Sequence, residues 1–189
     1  MDIDAFILIG GRSSRFGTDK AFYEIDGEIL ALRASGTIRR AFPGISVSFI
    51  AASEDQFGIK TDVLDGPLVF DIKNGVGAWS GLHAALHHSR AEWTLVLACD
   101  LPFVTPQVLR ELADMRFSDI DAVVPSQDGQ VFQPLCAIYR TEPSLRIVDE
   151  SLADEKAPPI RSLFSLLRTL ILNMEGNVLR NVNTPTDLD

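Results

Sequence analysis

Cysteine is scarce in this 189-residue chain: Cys99 and Cys136 are the two it has. They form no C-x-x-C pair and no disulfide framework. Each lies in an apolar run and reads as a buried free thiol. Long hydrophobic runs are missing as well. None approaches the ~18 residues that span a bilayer, so no membrane partner is expected. The start, Met1-Asp2-Ile3-Asp4, lacks the basic residues that open a signal peptide, and a cytoplasmic protein is expected. Cations are in deficit, 17 Lys and Arg against 26 Asp and Glu for a formal charge of −9. A general nucleic-acid binder needs a broad cationic face, and that class is excluded. A nucleotide ligand needs only a local positive pocket and stays open. There is no internal repeat, low-complexity tract or long linker. The composition, 46% hydrophobic and 23% charged, is that of a soluble globular protein, and the length suits a single domain over residues 1–189.

Against that background one stretch stands out, Gly10-Gly11-Arg12-Ser13-Ser14-Arg15-Phe16-Gly17-Thr18-Asp19-Lys20. It follows the apolar run Ala5–Ile9, so a buried strand ends in a glycine-rich turn carrying three cations and one anion. Glycines let backbone N–H groups converge on a polyphosphate, and basic side chains neutralise what remains. The loop is not a Walker A sequence, since Ala21 and not Ser or Thr follows Lys20. It is not G-x-G-x-x-G, which counts against a dinucleotide-binding dehydrogenase. Arg15, a planar fork, and Lys20, a point charge, are the candidates for phosphate contact. Arg12 reads as a further contact or as solvated surface. Asp19 reads as a helix cap or a partner of a cation.

Short apolar runs alternate with longer amphipathic stretches. Strands are expected at Ala5–Ile9, Ile45–Ala51, Leu68–Ile72, Trp93–Cys99, Ala122–Pro125, Leu135–Tyr139 and Thr169–Asn173. Helices are expected at Glu28–Phe42, Ser80–Arg90, Pro106–Arg116, Glu142–Ala153 and Ile160–Leu167. Thr105 is placed to cap the third of these, with Pro106 as its first residue. The acidic stretch Asp149–Pro159 is expected to form an exposed connection. The alternation predicts an α/β fold, a three-layer Rossmann-like sandwich with a mainly parallel central sheet. Ligands of such sheets bind beyond the carboxyl ends of the strands.

Two carboxylates occupy strand ends of this kind. Asp100 follows Trp93–Cys99 and is placed to hold Mg²⁺ with phosphate oxygens and water, or else to cap its own turn. Asp71 ends Leu68–Asp71 and precedes the glycine-rich Gly75–Gly81; it is a ribose or base contact or a plain loop carboxylate. His83 and His87 have the i, i+4 spacing of a two-histidine metal face, but no third ligand and no H-E-x-x-H accompany them, and they read as packing or surface residues. Trp79 reads as a packing residue or pocket wall. Arg161, after Pro158-Pro159, and the polar turn Asn181–Asp187 are suggestive without being specific.

Taken together, Leu8–Lys20, Asp71, Gly77–Leu82, Ala98–Phe103, Gln133–Ala137 and Asn181–Asp187 resemble the motifs of the nucleotidyltransferases, specifically the molybdenum cofactor guanylyltransferases. The likeness spans nearly the whole chain in the expected order. It implies transfer of GMP from GTP to molybdopterin, with or without molybdenum, forming molybdopterin guanine dinucleotide and releasing pyrophosphate, with Mg²⁺ as cofactor. It further implies nucleotide contacts at Leu8, Ile9, Gly10, Gly11, Lys20, Asp71 and Asp100, and a metal contact at Asp100. Arg15, Lys20 and Asp100 are the implied catalytic set. The acceptor is expected near Gln133, Arg161, Asn181 and Asn183, so the N-terminal part binds nucleotide and the C-terminal part binds acceptor. Molybdoenzymes or their chaperones are implied as recipients. Gly10, where CTP-using relatives carry alanine, is expected to leave room for backbone to approach a guanine. The sequence departs from the family at Ile50-Ala51-Ala52-Ser53, where an asparagine is usual, at Phe16, where a methionine is usual, and at Ala78-Trp79, where Pro-Leu is usual. A related enzyme using CTP or another phosphorylated acceptor, or a nucleotide-binding module without turnover, are the alternatives.

Overall fold

The computed structural model describes residues 2–10, 20–53, 62–73, 75–129, 131–153, 157–184 and 187. Strand β1 (Ile3–Leu8) emerges from the first apolar run and is buried at five of its six positions. The hairpin β2 (Glu24–Ile25) and β3 (Glu28–Ile29) leads into helix α1 (Leu30–Ala41). β4 (Val47–Ala51), β5 (Leu68–Phe70), α2 (Ala78–His88), β6 (Trp93–Ala98) and α3 (Pro106–Asp114) follow. The C-terminal part comprises β7 (Ala122–Gln127), β8 (Val131–Phe132), β9 (Cys136–Arg140), α4 (Thr141–Ser151), α5 (Leu163–Leu166) and β10 (Thr169–Met174).

The main sheet runs β10-β7-β9-β6-β1-β4-β5, with β8 beside β7. Pairings β6–β1, β1–β4, β4–β5 and β7–β10 are parallel. β9 runs antiparallel to both β6 and β7, and β8 antiparallel to β7. Strand side chains alternate between faces, and the two faces hold separate cores. Ile3, Ala5 and Ile7 pack with Leu30 and Ile38 of α1 and with Leu109 and Leu112 of α3. Phe6 and Leu8 pack with Trp79, Leu82 and Leu86 of α2 and Val148 of α4. The molecule is therefore an α/β/α sandwich with a mainly parallel sheet. Cys99 and Cys136 are free thiols buried in it, as expected, and desolvation pushes the Cys136 thiol up to about 12.

Three local expectations are corrected. The helix expected from Glu28 begins at Leu30, because Glu28–Ile29 pairs with Glu24–Ile25. The turn between them, Asp26-Gly27, has φ of 54° and 79°, the positive pair that a two-residue hairpin needs. The helix expected over Ile160–Leu167 is a 3-10 turn, Ile160–Ser162, followed by the single turn of α5. The stretch expected as an exposed connection, Asp149–Pro159, is helical at its start and anchored at two described points, while Asp149, Glu150, Ala153 and Pro159 are exposed and residues 154–156 lie outside the described residues. α4 continues to Ser151, Leu152 is buried, and the Pro158 carbonyl accepts a bond from Trp79 Nε1 at 2.7 Å. The Thr105 cap is present: its Oγ1 accepts from Val108 N at 3.4 Å, with Pro106 opening α3. No helix of the described residues is long and apolar enough to cross a membrane.

Candidate active site

β6, β1, β4 and β5 are neighbours and mutually parallel, so their carboxyl ends share one edge of the sheet. The chain passes from β1 to β4 on one side and later crosses back to β6 on the other, which makes the β1–β6 boundary a topological switch point where such sheets bind ligands. Asp100 stands just past β6, Ile9 and Gly10 just past β1, and Asp71 just past β5. Strands lie about 4.8 Å apart, so Asp100 and Asp71, three strands apart, flank a span of roughly 14 Å, the scale of an extended nucleoside phosphate.

Gly10 is held at this edge by β4. Ile9 N and Gly10 N both donate to Ile50 O, at 2.9 and 3.1 Å. A Cβ on Gly10 would stand 3.0 Å from Ala52 N and 3.4 Å from the Ala51 carbonyl carbon. The crowding that calls for glycine thus comes from the protein's own backbone at Ala51-Ala52, a reason different from the expected clearance for guanine. Gly11, Arg12, Arg15, Phe16 and Asp19, and with them the phosphate contacts expected of Gly11 and Arg15, lie outside the described residues.

Lys20, which opens a 3-10 turn, places its Nζ 3.0 Å from Asp100 Oδ2 and 3.0 Å from Asn183 Oδ1. All three residues were expected at the site, and the structure joins them directly. The lysine side chain is 13% exposed and that of Asp100 25%, so this ion pair sits in a partly dried recess where its field is stronger than at an open surface. Val182 N donates to Asp100 O at 2.9 Å, which ties the C-terminal turn to the strand end. Gln133 Nε2 donates to Asn181 Oδ1 at 2.9 Å and to Leu179 O at 3.0 Å. Gln133, Asn181 and Asn183 therefore converge beside Asp100. Arg161 does not join them. It is exposed on the turn at Ile160–Ser162, next to Ile160, which lines an open cleft of about 430 Å³ walled by Val76, Trp79 and Pro158.

Asp71 carries a strongly perturbed carboxyl. Burial pushes it up to about 6. Its Oδ1 is buried and has no hydrogen-bond partner among the described residues. A donor such as a ribose hydroxyl or a base N–H would satisfy that oxygen and favour its ionised form.

Other residues take packing roles. Trp79 is buried and bonded as described above. His83 is buried, with Nε2 2.9 Å from Asp149 Oδ1, while His87 is exposed. Two supports steady the site, the first being the polar turn expected over Asn181–Asp187. Asp187 Oδ2 accepts Asn183 N at 2.6 Å and Thr184 N at 2.7 Å, an Asx-type cap that holds the Asn183 turn. The Asp187 spacing in Asn183-Thr184-Pro185-Thr186-Asp187 was the available signal. Arg180 stacks over Phe103 with 4.6 Å from Cζ to the ring centroid and pins the turn after Asp100; no local pattern announces that contact.

Residues 5–170 match the family described as MobA-like NTP transferase domain. The chain is 33% identical over 192 residues to a probable molybdenum cofactor guanylyltransferase of Pelotomaculum thermopropionicum, covering 96% of this chain and 88% of that protein. It is 30% identical over 189 residues to a protein of the same description from a Geobacillus species, covering 97% and 94%. In three dimensions it resembles the crystal structure of molybdopterin-guanine dinucleotide biosynthesis protein A from Archaeoglobus fulgidus, with a TM-score of 0.78, 25% identity and 98% and 94% coverage.

Proposed function

The chain belongs to the MobA-like NTP transferase family and is a nucleotidyltransferase, and from that premise we propose that it transfers GMP from GTP to a molybdopterin acceptor. The relatives' descriptions support the guanylyl donor and the molybdenum cofactor acceptor. The observation that carries the reading for this chain is Lys20 bound to both Asp100 and Asn183 at the switch point. There a cation, an anion and a polar acceptor-side group meet where a triphosphate would lie.

In the proposed reaction the terminal phosphate oxygen of the acceptor attacks the α-phosphorus of GTP in line. The new P–O bond forms as the bond from the α-phosphorus to the bridging oxygen breaks, and pyrophosphate leaves with that electron pair. The nucleophile is already anionic, so no side chain must take a proton. The work of the protein is positioning and charge neutralisation. Lys20 exchanges its contacts to Asp100 and Asn183 for phosphate oxygens. Arg15, carried by the phosphate loop, adds a second cation to the leaving group. Asp71 orients the nucleoside through its unsatisfied oxygen. Gln133, Asn181 and Asn183 face the acceptor.

Asp100 suits a divalent ion of the magnesium type. It is a hard oxygen donor at a strand tip, and among the described residues no group of three His, Cys, Asp or Glu gathers to cage a metal. One carboxylate completed by phosphate oxygens and water is the usual magnesium arrangement. When bound there, Mg²⁺ supplies further neutralisation of the triphosphate.

The test is acceptor-dependent pyrophosphate release from GTP. Asp100→Ala should lower turnover by about 10²-fold or more, and Lys20→Ala should raise the GTP requirement or slow transfer by a similar factor. CTP should be a poor donor in the same assay. Wild-type rates in both variants would overturn the proposal, and GTP binding with no acceptor-dependent release would point to a module without turnover.

A further inference from the structure

The turn after Val182 is held by a carboxylate. Asp187 Oδ2 accepts Asn183 N at 2.6 Å and Thr184 N at 2.7 Å, and Asp187 N donates to Thr184 O at 3.0 Å. The bonds from Asn183 N and then Thr184 N hold the Asp187 carboxyl below its usual range. It is therefore ionised at neutral pH, and both bonds are charge-assisted. Asn183, the first residue so fixed, accepts from Lys20 Nζ through its Oδ1 at 3.0 Å, and the same nitrogen lies 3.0 Å from Asp100 Oδ2. A chain of contacts thus runs from Asp187 through Asn183 to Lys20 and Asp100.

The segment before Asn183 is anchored by other means. Leu179 and Val182 are buried. Gln133 Nε2 donates to Leu179 O and Asn181 Oδ1, and Val182 N donates to Asp100 O. Asn183 itself is exposed, so core packing does not fix its direction, and an unheld asparagine spreads over several rotamers. We propose that Asp187 is a positioning residue for the transfer. By binding the Asn183 and Thr184 N–H groups it aims the Asn183 side chain, which holds Lys20 beside Asp100. Once Lys20 turns to the nucleotide phosphates, the same side chain meets the acceptor. This last step rests on the guanylyl-transfer reading above; the hold on Lys20 does not.

The division of anchors decides what Asp187 can affect. Without it, Leu179 and Val182 stay buried and the Val182–Asp100 bond stays made, so the turn remains docked while Asn183 loosens. Misplacing a positioning group by about 1 Å can cost on the order of a hundredfold in rate. Nucleotide affinity is affected less, because Lys20 gives up its bond to Asn183 when it takes phosphate oxygens. The chemistry of the cap is also specific. Asparagine offers a side-chain oxygen at the same reach as aspartate, whereas glutamate sets its carboxylate one methylene farther out.

Asp187→Ala, Asp187→Asn and Asp187→Glu in the full chain test the proposal through two readouts. The first is acetylation of Lys20 by acetic anhydride, followed by mass spectrometry with neither nucleotide nor acceptor added. Asp187→Ala should label Lys20 about fivefold faster or more, Asp187→Glu should follow it, and Asp187→Asn should stay near the wild-type rate. The second is acceptor-dependent pyrophosphate release. In Asp187→Ala, kcat/KM for the acceptor should fall about tenfold or more, with GTP affinity within about twofold of wild type. Asp187→Asn should recover most of the loss. A turn that serves stability alone would lower the thermal midpoint and leave Lys20 labelling as in wild type. Unchanged Lys20 labelling in Asp187→Ala, or an equal loss toward GTP and acceptor, overturns the proposal. Faster Lys20 labelling in a protein whose wild type releases no pyrophosphate supports the hold on Lys20 and overturns the guanylyl-transfer reading alone.

Discussion

Asp71 carries a half-buried carboxyl, raised to about 6 by desolvation, with one oxygen left without a partner. Between its ordinary range near 4 and about 6, the folded chain keeps a proton that the unfolded chain releases. Stability therefore falls as pH rises through that window and stays lowered above it. Asp71→Asn has no such titration. Its thermal midpoint should exceed that of wild type at pH 8, and the gap should close by pH 4; a gap constant with pH would refute the assignment. Under the proposed function the same variant should bind nucleotide more weakly, because a neutral amide oxygen is a poorer acceptor than a carboxylate for a ribose hydroxyl or base N–H. At Gly10, the nearness of Ala52 N predicts that Gly10→Ala forces β1 and β4 apart and costs about 1–3 kcal/mol in urea unfolding, with GTP affinity falling alongside. Lost affinity at unchanged stability would return the explanation to the guanine. Asp100 and Lys20 were legible in the sequence, since an acidic residue ending a buried apolar run and a lysine ending a glycine loop are local patterns. The bond from Lys20 to Asn183 was not. It joins residues 163 positions apart, and no periodicity carries information over that distance.

Among the described strands β10 pairs with β7 alone, and Arg168 clamps its start. Arg168 donates to Asp121 through Nε at 2.7 Å and Nη2 at 2.6 Å, and its backbone N–H reaches the same carboxylate at 3.2 Å. The guanidinium holds the Asp121 carboxyl below its usual range, so this contribution is present at neutral pH and is lost as pH falls through the lowered value. Asp121→Ala should lower the thermal midpoint by about 2–4 °C, and amide exchange should accelerate in β10 before β1 or β6. Uniform acceleration across the sheet would show that the clamp is not local. The strands and helices themselves were readable because buried apolar runs and helical spacing are local signals. The direction of β9 was not, since period-two burial is the same whichever way a strand runs. A turn signal was present nonetheless. Asp128-Gly129, with φ of 54° and 66°, follows β7 and reverses the chain into β8, as Asp26-Gly27 does between β2 and β3.

Across the whole molecule, the strand order sets both what binds and where. Strands on either side of the β1–β6 boundary bring Asp100, Gly10 and Asp71 to one edge from three separate stretches of sequence, while α1 and α3 on one face and α2 and α4 on the other keep that edge rigid. A ligand seated there stabilises the entire fold by mass action. With Mg²⁺ and a non-hydrolysable GTP analogue at a hundredfold over its dissociation constant, the thermal midpoint should rise by about 5–10 °C. The corresponding CTP analogue at equal concentration should give a smaller rise, and equal shifts would remove the preference for guanine. The two buried thiols give this scaffold an internal clock. Cys99 adjoins Asp100 at the site and is 7% exposed, whereas Cys136 lies in the sheet interior at 0%. A thiol reagent can reach Cys136 only when the sheet opens as a unit, but it can reach Cys99 through a breathing motion of one strand end. Their labelling rates thus time global unfolding and local opening separately, within one unmodified chain, and a nucleotide at Asp100 should slow the Cys99 rate by the larger factor.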